Sequence, residues 1–120
     1  MIEIMLEAER AMAVGLLDKA ERLYAQVAAA DPRNSIAVMG LSRIALERDN
    51  QRGAYLLARR ALALDPDNPM ASHMARRMAE VMAGRGEPPP DDSVEPPKPT
   101  AVPAPEPDRP GLIDRIRRRR

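Results

Sequence analysis

The sequence repeats itself at a fixed interval. Residues 31–34 read DPRN, and residues 65–68 read DPDN. We call the distance along the chain between these two segments the repeat period. At this offset the first two units share nine identical positions, among them Ile2 with Ile36. Self-similarity at a period of about 34 residues is typical of stacked helical hairpins, because each unit can bury its apolar face only against its neighbours.

Within each unit, two segments place apolar residues at helical spacing. In the first segment these residues are Ile2, Met5, Leu6, Met12 and Ala13, and in the second they are Leu23, Tyr24 and Val27. Asp-Pro pairs end the second segment of each unit, because proline cannot continue a helix and disfavours helix in the residue before it. We predict helices over 2–14, 18–30, 35–48, 51–64 and 69–83, with turns at 15–16 and 49–50.

Proline divides the chain into a folded part and a tail. Ten of the thirteen prolines lie between Pro88 and Pro110, whereas residues 1–86 are rich in alanine, leucine and methionine. A proline-rich segment cannot bury a core and favours an extended chain, whereas the composition of residues 1–86 favours helix. We predict a helical domain over 1–86, a disordered proline-rich linker over 87–110 and a basic amphipathic tail over 111–120.

At this point the sequence resembles the tetratricopeptide repeat family. In its second helix and the turn after it, that family's unit has a small, a large and a second small residue, then proline. The corresponding residues are Ala20, Tyr24, Val27 and Pro32, then Ala54, Ala58, Ala61 and Pro66. The resemblance implies an all-α fold of antiparallel helical hairpins in a right-handed superhelical stack. It implies repeats at about 1–34 and 35–68 and a fifth, capping helix that lays Met70, Met74, Ala75 and Met78 on the second hairpin.

The resemblance also implies a groove that binds a peptide or helix of another protein, lined by the first helix of each pair. Position by position, its lining is Ile2, Met5, Glu9, Met12, Ile36, Met39, Arg43, Leu46, Met70, His73, Met74 and Arg77. Methionines adapt to varied apolar side chains, and arginines can bind carboxylates. The family's clamp for chaperone tails has Lys and Asn where this chain has Met5, Glu9 and Arg43, which argues against that ligand. In a plainer interpretation, the methionines pack in the core and the arginines are solvated.

The residue types argue against an enzyme. The chain has no cysteine, which excludes disulfides and thiolate chemistry. His73 is the single histidine, Ser72 is the one serine beside it, and no glycine-rich phosphate loop is present. We therefore expect a non-enzymatic adaptor or scaffold for protein–protein interaction, without metal or cofactor.

The final segment, GLIDRIRRRR, combines apolar and cationic residues. Its candidate docking residues are Leu112, Ile113, Ile116, Arg115, Arg117, Arg118, Arg119 and Arg120. Such a segment can remain solvated, or bind an anionic membrane, an acidic protein groove or nucleic-acid phosphates. Nucleic acid is disfavoured because the segment has no aromatic residue to stack on bases. The alternative function is a membrane- or nucleic-acid-associated factor acting through this tail, with repeats that only dimerise.

The composition also suggests a cellular setting. The first ten residues include three glutamates and do not resemble a signal peptide, and no apolar run approaches the roughly 18 residues of a membrane span. We expect a cytoplasmic protein, or one that contacts the inner face of the membrane through its tail. Arginine outnumbers lysine 17 to 2, as in GC-rich bacterial genomes. Because two repeats are few for a stable array, self-association is left open.

Overall fold

The computed structural model describes residues 2–90 and Pro96. This part forms five helices, α1 (Ile2–Ala13), α2 (Leu17–Ala30), α3 (Ser35–Glu47), α4 (Gln51–Leu64) and α5 (Pro69–Gly84). No strand occurs among these described residues. The five helices expected from the sequence are confirmed, each with its ends within one residue of the prediction.

The repeated segment DPxN ends one helix and caps the next. The Asn34 side chain accepts hydrogen bonds from two backbone N–H groups in the first turn of α3, both at 3.1 Å. Asn68 does the same in α5, at 3.0 and 3.2 Å. These bonds satisfy N–H groups that have no partner inside a helix. Since the two caps lie one repeat period apart, the sequence repeat encodes a repeat in local structure.

The turns inside the two hairpins also correspond. Gly15 and Asp49, again one repeat period apart, both have left-handed backbone, with φ of +82° and +62°. In each turn two N–H groups bond back to the carbonyls of the preceding helix at 2.8–3.1 Å, which closes its last turn. The connections between α1 and α2 and between α3 and α4 are three residues long, so each pair forms a hairpin.

The helices pack mainly in chain order, each against the next. The core is concentrated in the second hairpin: α3 buries nine of its 13 residues and α4 seven of its 14, whereas α1 buries two of 12. Tyr24, Val27 and Ile44 are the largest fully buried apolar side chains. The core is mainly aliphatic, with Tyr24 and Tyr55 included in it.

The buried face of α1 is formed by small residues. Its buried residues are Ala8 and Ala11, whereas Ile2, Leu6 and Ala13 are exposed. Small alanines let α1 approach the neighbouring helices closely, which leaves the larger side chains at the edge of the contact. Helical spacing correctly predicted the helix, and Ile2, which the resemblance places in the groove lining, lies on its exposed side.

The packing of α5 corrects the expectation that Met70 contacts the second hairpin. Its buried residues recur at spacings of four, three and four: Ala71, Ala75, Met78 and Met82. Met70, expected on the second hairpin, is 52 % exposed because it lies one residue away from this stripe, roughly 100° around the helix. Of the expected contacts, Ala75 and Met78 are buried, and Met74 is half-buried.

Beyond α5, residues 87–90 are neither helix nor strand, and Pro90 is buried. Gly86, two residues after the end of α5, has left-handed backbone with φ of +78°. Apart from these residues and Pro96, the linker predicted over 87–110 lies outside the described residues, as does the whole basic tail predicted over 111–120.

Candidate partner-binding surface

The candidate site is the exposed side of α1, α3 and α5, which we call the first-helix surface. Of its predicted residues, five are exposed: Ile2, Ile36, Met70, His73 and Arg77. Six are half-buried: Met5, Glu9, Met12, Arg43, Leu46 and Met74. Met39 is only 3 % exposed and belongs to the core, because nearly every face of α3 is covered by another helix. It is therefore excluded from the groove lining.

Three large apolar residues of this surface occupy the same place in successive units. Ile2, Ile36 and Met70 follow one another at the repeat period and are 74 %, 60 % and 52 % exposed. Each lies in the first turn of its helix, so we call the three the apolar row. Single exposed apolar residues are ordinary, but exposed apolar residues at the same position of successive units suggest an interaction surface.

Seven residues further along each helix, the same surface carries charge: Glu9, Arg43 and Arg77. The Arg43 guanidinium lies 3.1 Å from one Glu9 carboxylate oxygen and 3.4 Å from the other. The buried Tyr24 hydroxyl of α2 donates a further hydrogen bond to the same carboxylate. Arg77 makes no ion pair or hydrogen bond with any described residue. Arg43 is therefore already paired, whereas Arg77 is exposed and has no partner among the described residues.

The Tyr24–Glu9–Arg43 cluster shifts the pKa values of Glu9 and Tyr24. Partial burial opposes ionisation of Glu9, but the hydrogen bonds from Tyr24 and Arg43, together with the arginine charge, outweigh it and lower the pKa of Glu9. Burial, and then the hydrogen bond to the Glu9 carboxylate, raise the pKa of Tyr24. At neutral pH the tyrosine is thus a donor and the glutamate an ionised acceptor, which ties α1, α2 and α3 together.

Gly40 makes room for the ring of this tyrosine. A Cβ atom at Gly40 would lie 2.5 Å from two carbon atoms of the Tyr24 ring. The ring is fully buried and cannot move away freely. A glycine in a helix interior is otherwise unfavourable, so Gly40 is explained by this close approach.

A second ion-pair cluster lies beside the α1–α2 turn. Arg48, the residue that follows α3, binds Glu21 of α2 at 2.7 Å and also Asp18. Glu21 is buried, and its hydrogen bond to Arg48 raises the pKa of the arginine. An open depression beside the cluster is lined by Gly15, Leu16, Leu17, Asp18, Lys19, Arg22 and Arg48. Because Arg48 follows α3 and pairs with Glu21 and Asp18 of α2, the cluster joins the two hairpins.

Sequence reasoning did not identify these contacts. The Glu9–Arg43 pair had a usable signal, since opposite charges stand one repeat period apart at one place of the repeat. No signal in the sequence indicated the Tyr24–Gly40 contact or the Arg48 cluster, because the residues in contact occupy different positions of the repeat.

The described residues offer little for chemistry. Residues 2–90 and Pro96 contain no group of three or more potential metal ligands of the His, Cys, Asp or Glu type. His73 is exposed and Ser72 half-buried. No helix in this part of the chain has the length and apolar character needed to cross a membrane. The tail residues predicted to dock, from Leu112 to Arg120, lie outside the described part.

Comparison with known proteins gives no further guide to the site. No protein-family model, curated protein or solved structure matches the chain.

Proposed function

We propose that this chain is a non-enzymatic adaptor of the tetratricopeptide kind that binds a peptide or helix of another protein on its first-helix surface. The hairpins stack in a right-handed superhelix, with α5 as the cap. The repetition of caps at Asn34 and Asn68, and of left-handed turn residues at Gly15 and Asp49, supports this arrangement. Packing in chain order supports it too, because each unit of a repeat array contacts its neighbours.

The apolar row carries the proposal. Ile2, Ile36 and Met70 remain at least half exposed although the same helices bury other residues completely. An extended peptide advances about 3.3 Å per residue, and its successive side chains point to opposite sides. Every second residue of such a peptide would therefore face the row, so that apolar side chains at alternate positions could contact its members. An amphipathic helix laid across the three helices would present apolar side chains at a similar interval.

Charge then gives the bound segment a direction. Glu3 and Glu7 are exposed at the α1 end, while His73, Arg76 and Arg77 are exposed at the α5 end. Arg43 in the middle is neutralised by Glu9. A partner segment with a basic group towards α1 and an acidic group towards Arg77 fits this pattern. The acidic group is received at Arg77 because Arg43 is already bound.

The test is capture of a partner by full-length variants, followed by the affinity of the captured segment. Cross-linking mass spectrometry of native lysate identifies the segment bound by the wild-type chain. Ile36→Asp is expected to weaken that segment's binding by at least about tenfold, since it places a charge in an apolar contact. Val14→Asp is the matched control, because Val14 is also exposed but lies at the α1–α2 turn.

Removal of residues 111–120 separates this proposal from the alternative. Partner binding that survives the deletion but not Ile36→Asp supports the first-helix surface. Binding that ignores Ile36→Asp and disappears with the deletion would instead support the membrane- or nucleic-acid-associated factor that acts through its arginines.

A further inference from the structure

The α1 end of the first-helix surface exposes a pair of large apolar residues. Ile2 and Leu6 are 74 % and 51 % exposed and stand four residues apart, hence on one side of the helix. At the places corresponding to Leu6, α3 has Gly40, which is buried, and α5 has Met74, which is half-buried. Only α1 therefore presents two exposed apolar residues in successive turns among these three helices.

Acidic residues flank this pair. Glu3 is exposed and has no ion pair or hydrogen bond with any described residue. The Glu7 side chain is 48 % exposed, although it reaches Lys19 at 3.1 Å. Arg10 is the one basic residue in α1, against Glu3, Glu7 and Glu9. An occupant of this face must therefore bring apolar side chains together with positive charge.

The chain itself contains a segment with that chemistry. Residues 111–120 carry three large apolar residues, Leu112, Ile113 and Ile116, and five arginines against Asp114. By contrast, the linker over 87–110 has six acidic residues and two basic ones. We propose that residues 111–120 bind the Ile2–Leu6 face of α1 within the same molecule, with the arginines beside Glu3 and Glu7.

The linker is long enough to allow this. Residues 91–110 span up to about 60 Å as an extended proline-rich chain, at about 3.1 Å per residue. The longest dimension of the molecule is 53 Å. A tether of this kind gives an effective concentration of about millimolar, so a contact too weak to persist between molecules is populated within one. The bound segment covers the α1 end of the apolar row, so a partner must displace it or bind beside it.

The experiment uses the full chain with a spin label at residue 120. Because the chain has no cysteine, Arg120→Cys provides a single labelling site and leaves the other arginines in place. The methyl signals of Ile2 and Leu6 are expected to lose most of their intensity, and those of Val81, in the last turn of α5, little. The loss should be the same at all protein concentrations and disappear in high salt, because the contact is within the molecule and depends on charge.

Variants test the assigned face. Leu6→Ser and Glu3→Lys should each restore most of the intensity at Ile2, whereas Val14→Ser and Glu47→Lys should not. All four positions are exposed, so unchanged chemical shifts elsewhere verify that the fold is kept. The proposal is overturned by full Ile2 and Leu6 intensity in the wild type, or by a loss spread evenly over the surface. A loss that arises in a mixture of labelled and reporter molecules would equally overturn it, since the contact would then be between chains. Partner capture by the tail-less chain is a separate result and can succeed while this docking fails.

Discussion

The two hairpins follow one template but differ in how much of it they bury. In the second hairpin most of α3 faces other helices, and the Asn50 side chain caps α4 by accepting from the Gly53 N–H at 2.9 Å. In the first hairpin α1 buries only two alanines, and Leu16, at the N-cap position of α2, provides no side-chain hydrogen bond to the helix. The second hairpin therefore supplies most of the stability, while the first leaves Ile2, Leu6 and Glu3 exposed.

The largest expected effect is at the joint between the hairpins. Gly40→Ala should lower the free energy of unfolding by about 1–3 kcal/mol, because the new methyl group overpacks against the buried Tyr24 ring. Urea denaturation measures it. Gly84→Ala is the matched control, since a Cβ there meets nothing within 4 Å, and it should not destabilise.

A double variant sharpens this prediction. If the ring causes the clash, Tyr24→Leu together with Gly40→Ala should cost less than the sum of the two single changes. Additive costs would show that Gly40 is needed for another reason. One repeat period further along, the places of Tyr24 and Gly40 are taken by Ala58 in α4 and Met74 in α5. In this pair the small residue lies on the earlier helix and the large residue on the later one.

The next effect concerns a buried serine hydroxyl of the second hairpin. Ser42 is fully buried and donates a hydrogen bond to the Ala54 carbonyl at 2.7 Å. Ser42→Ala should cost about 1 kcal/mol, the usual net contribution of such a bond. The first hairpin has Ala8 and Ala20 at these places. Thermal unfolding of Ala8→Ser should show a smaller change than Ser42→Ala, and an equal loss would mean that the hairpins do not superpose at this point.

A smaller gain is expected from giving the first hairpin the cap of the second. Leu16→Asn, at the place of Asn50, should stabilise the protein by about 0.5–1 kcal/mol by accepting a hydrogen bond in the first turn of α2. Leu16 is 53 % exposed, so little packing is lost. Leu16→Gln serves as the control because its longer side chain is a poor cap. Identical denaturation midpoints for the two variants would contradict the capping explanation.

The smallest effect is the pH dependence of the Glu9 contact. Because the folded state lowers the pKa of Glu9, its contribution is present above the unfolded value of about 4.3 and is lost as the pH falls through the folded pKa. The Glu9 side chain is 44 % exposed, so the contribution stays within about 0–1 kcal/mol. Glu9→Gln should be less stable than the wild type at pH 7, and the difference should shrink at pH 3. A difference that grows on acidification would contradict this sign.

Local structure could be predicted from the sequence where a single segment determines it. The DPxN segments contain both the stop and the cap, so the ends of α2 and α4 and the starts of α3 and α5 follow from a few adjacent residues. Period and proline placement then give five helices in two hairpins and a fifth helix.

Exposure could not be predicted in the same way. Whether Leu6 or Met70 is buried depends on which neighbouring helix covers that side, and helical spacing carries no such information. Met39 shows the opposite case, since it occupies the place of the half-buried Met5 yet lies inside the core. The repeat aligned these residues correctly, but the two units have different surroundings.

Native-state hydrogen exchange tests the inequality of the hairpins most directly. If α3 and α4 supply the stability, their slowest amides should exchange at the rate of global unfolding, and those of α1 at least about tenfold faster through local opening. Exchange of α1 as slow as that of α3, or slower, would contradict the account, because the first hairpin would then be as firmly held as the second.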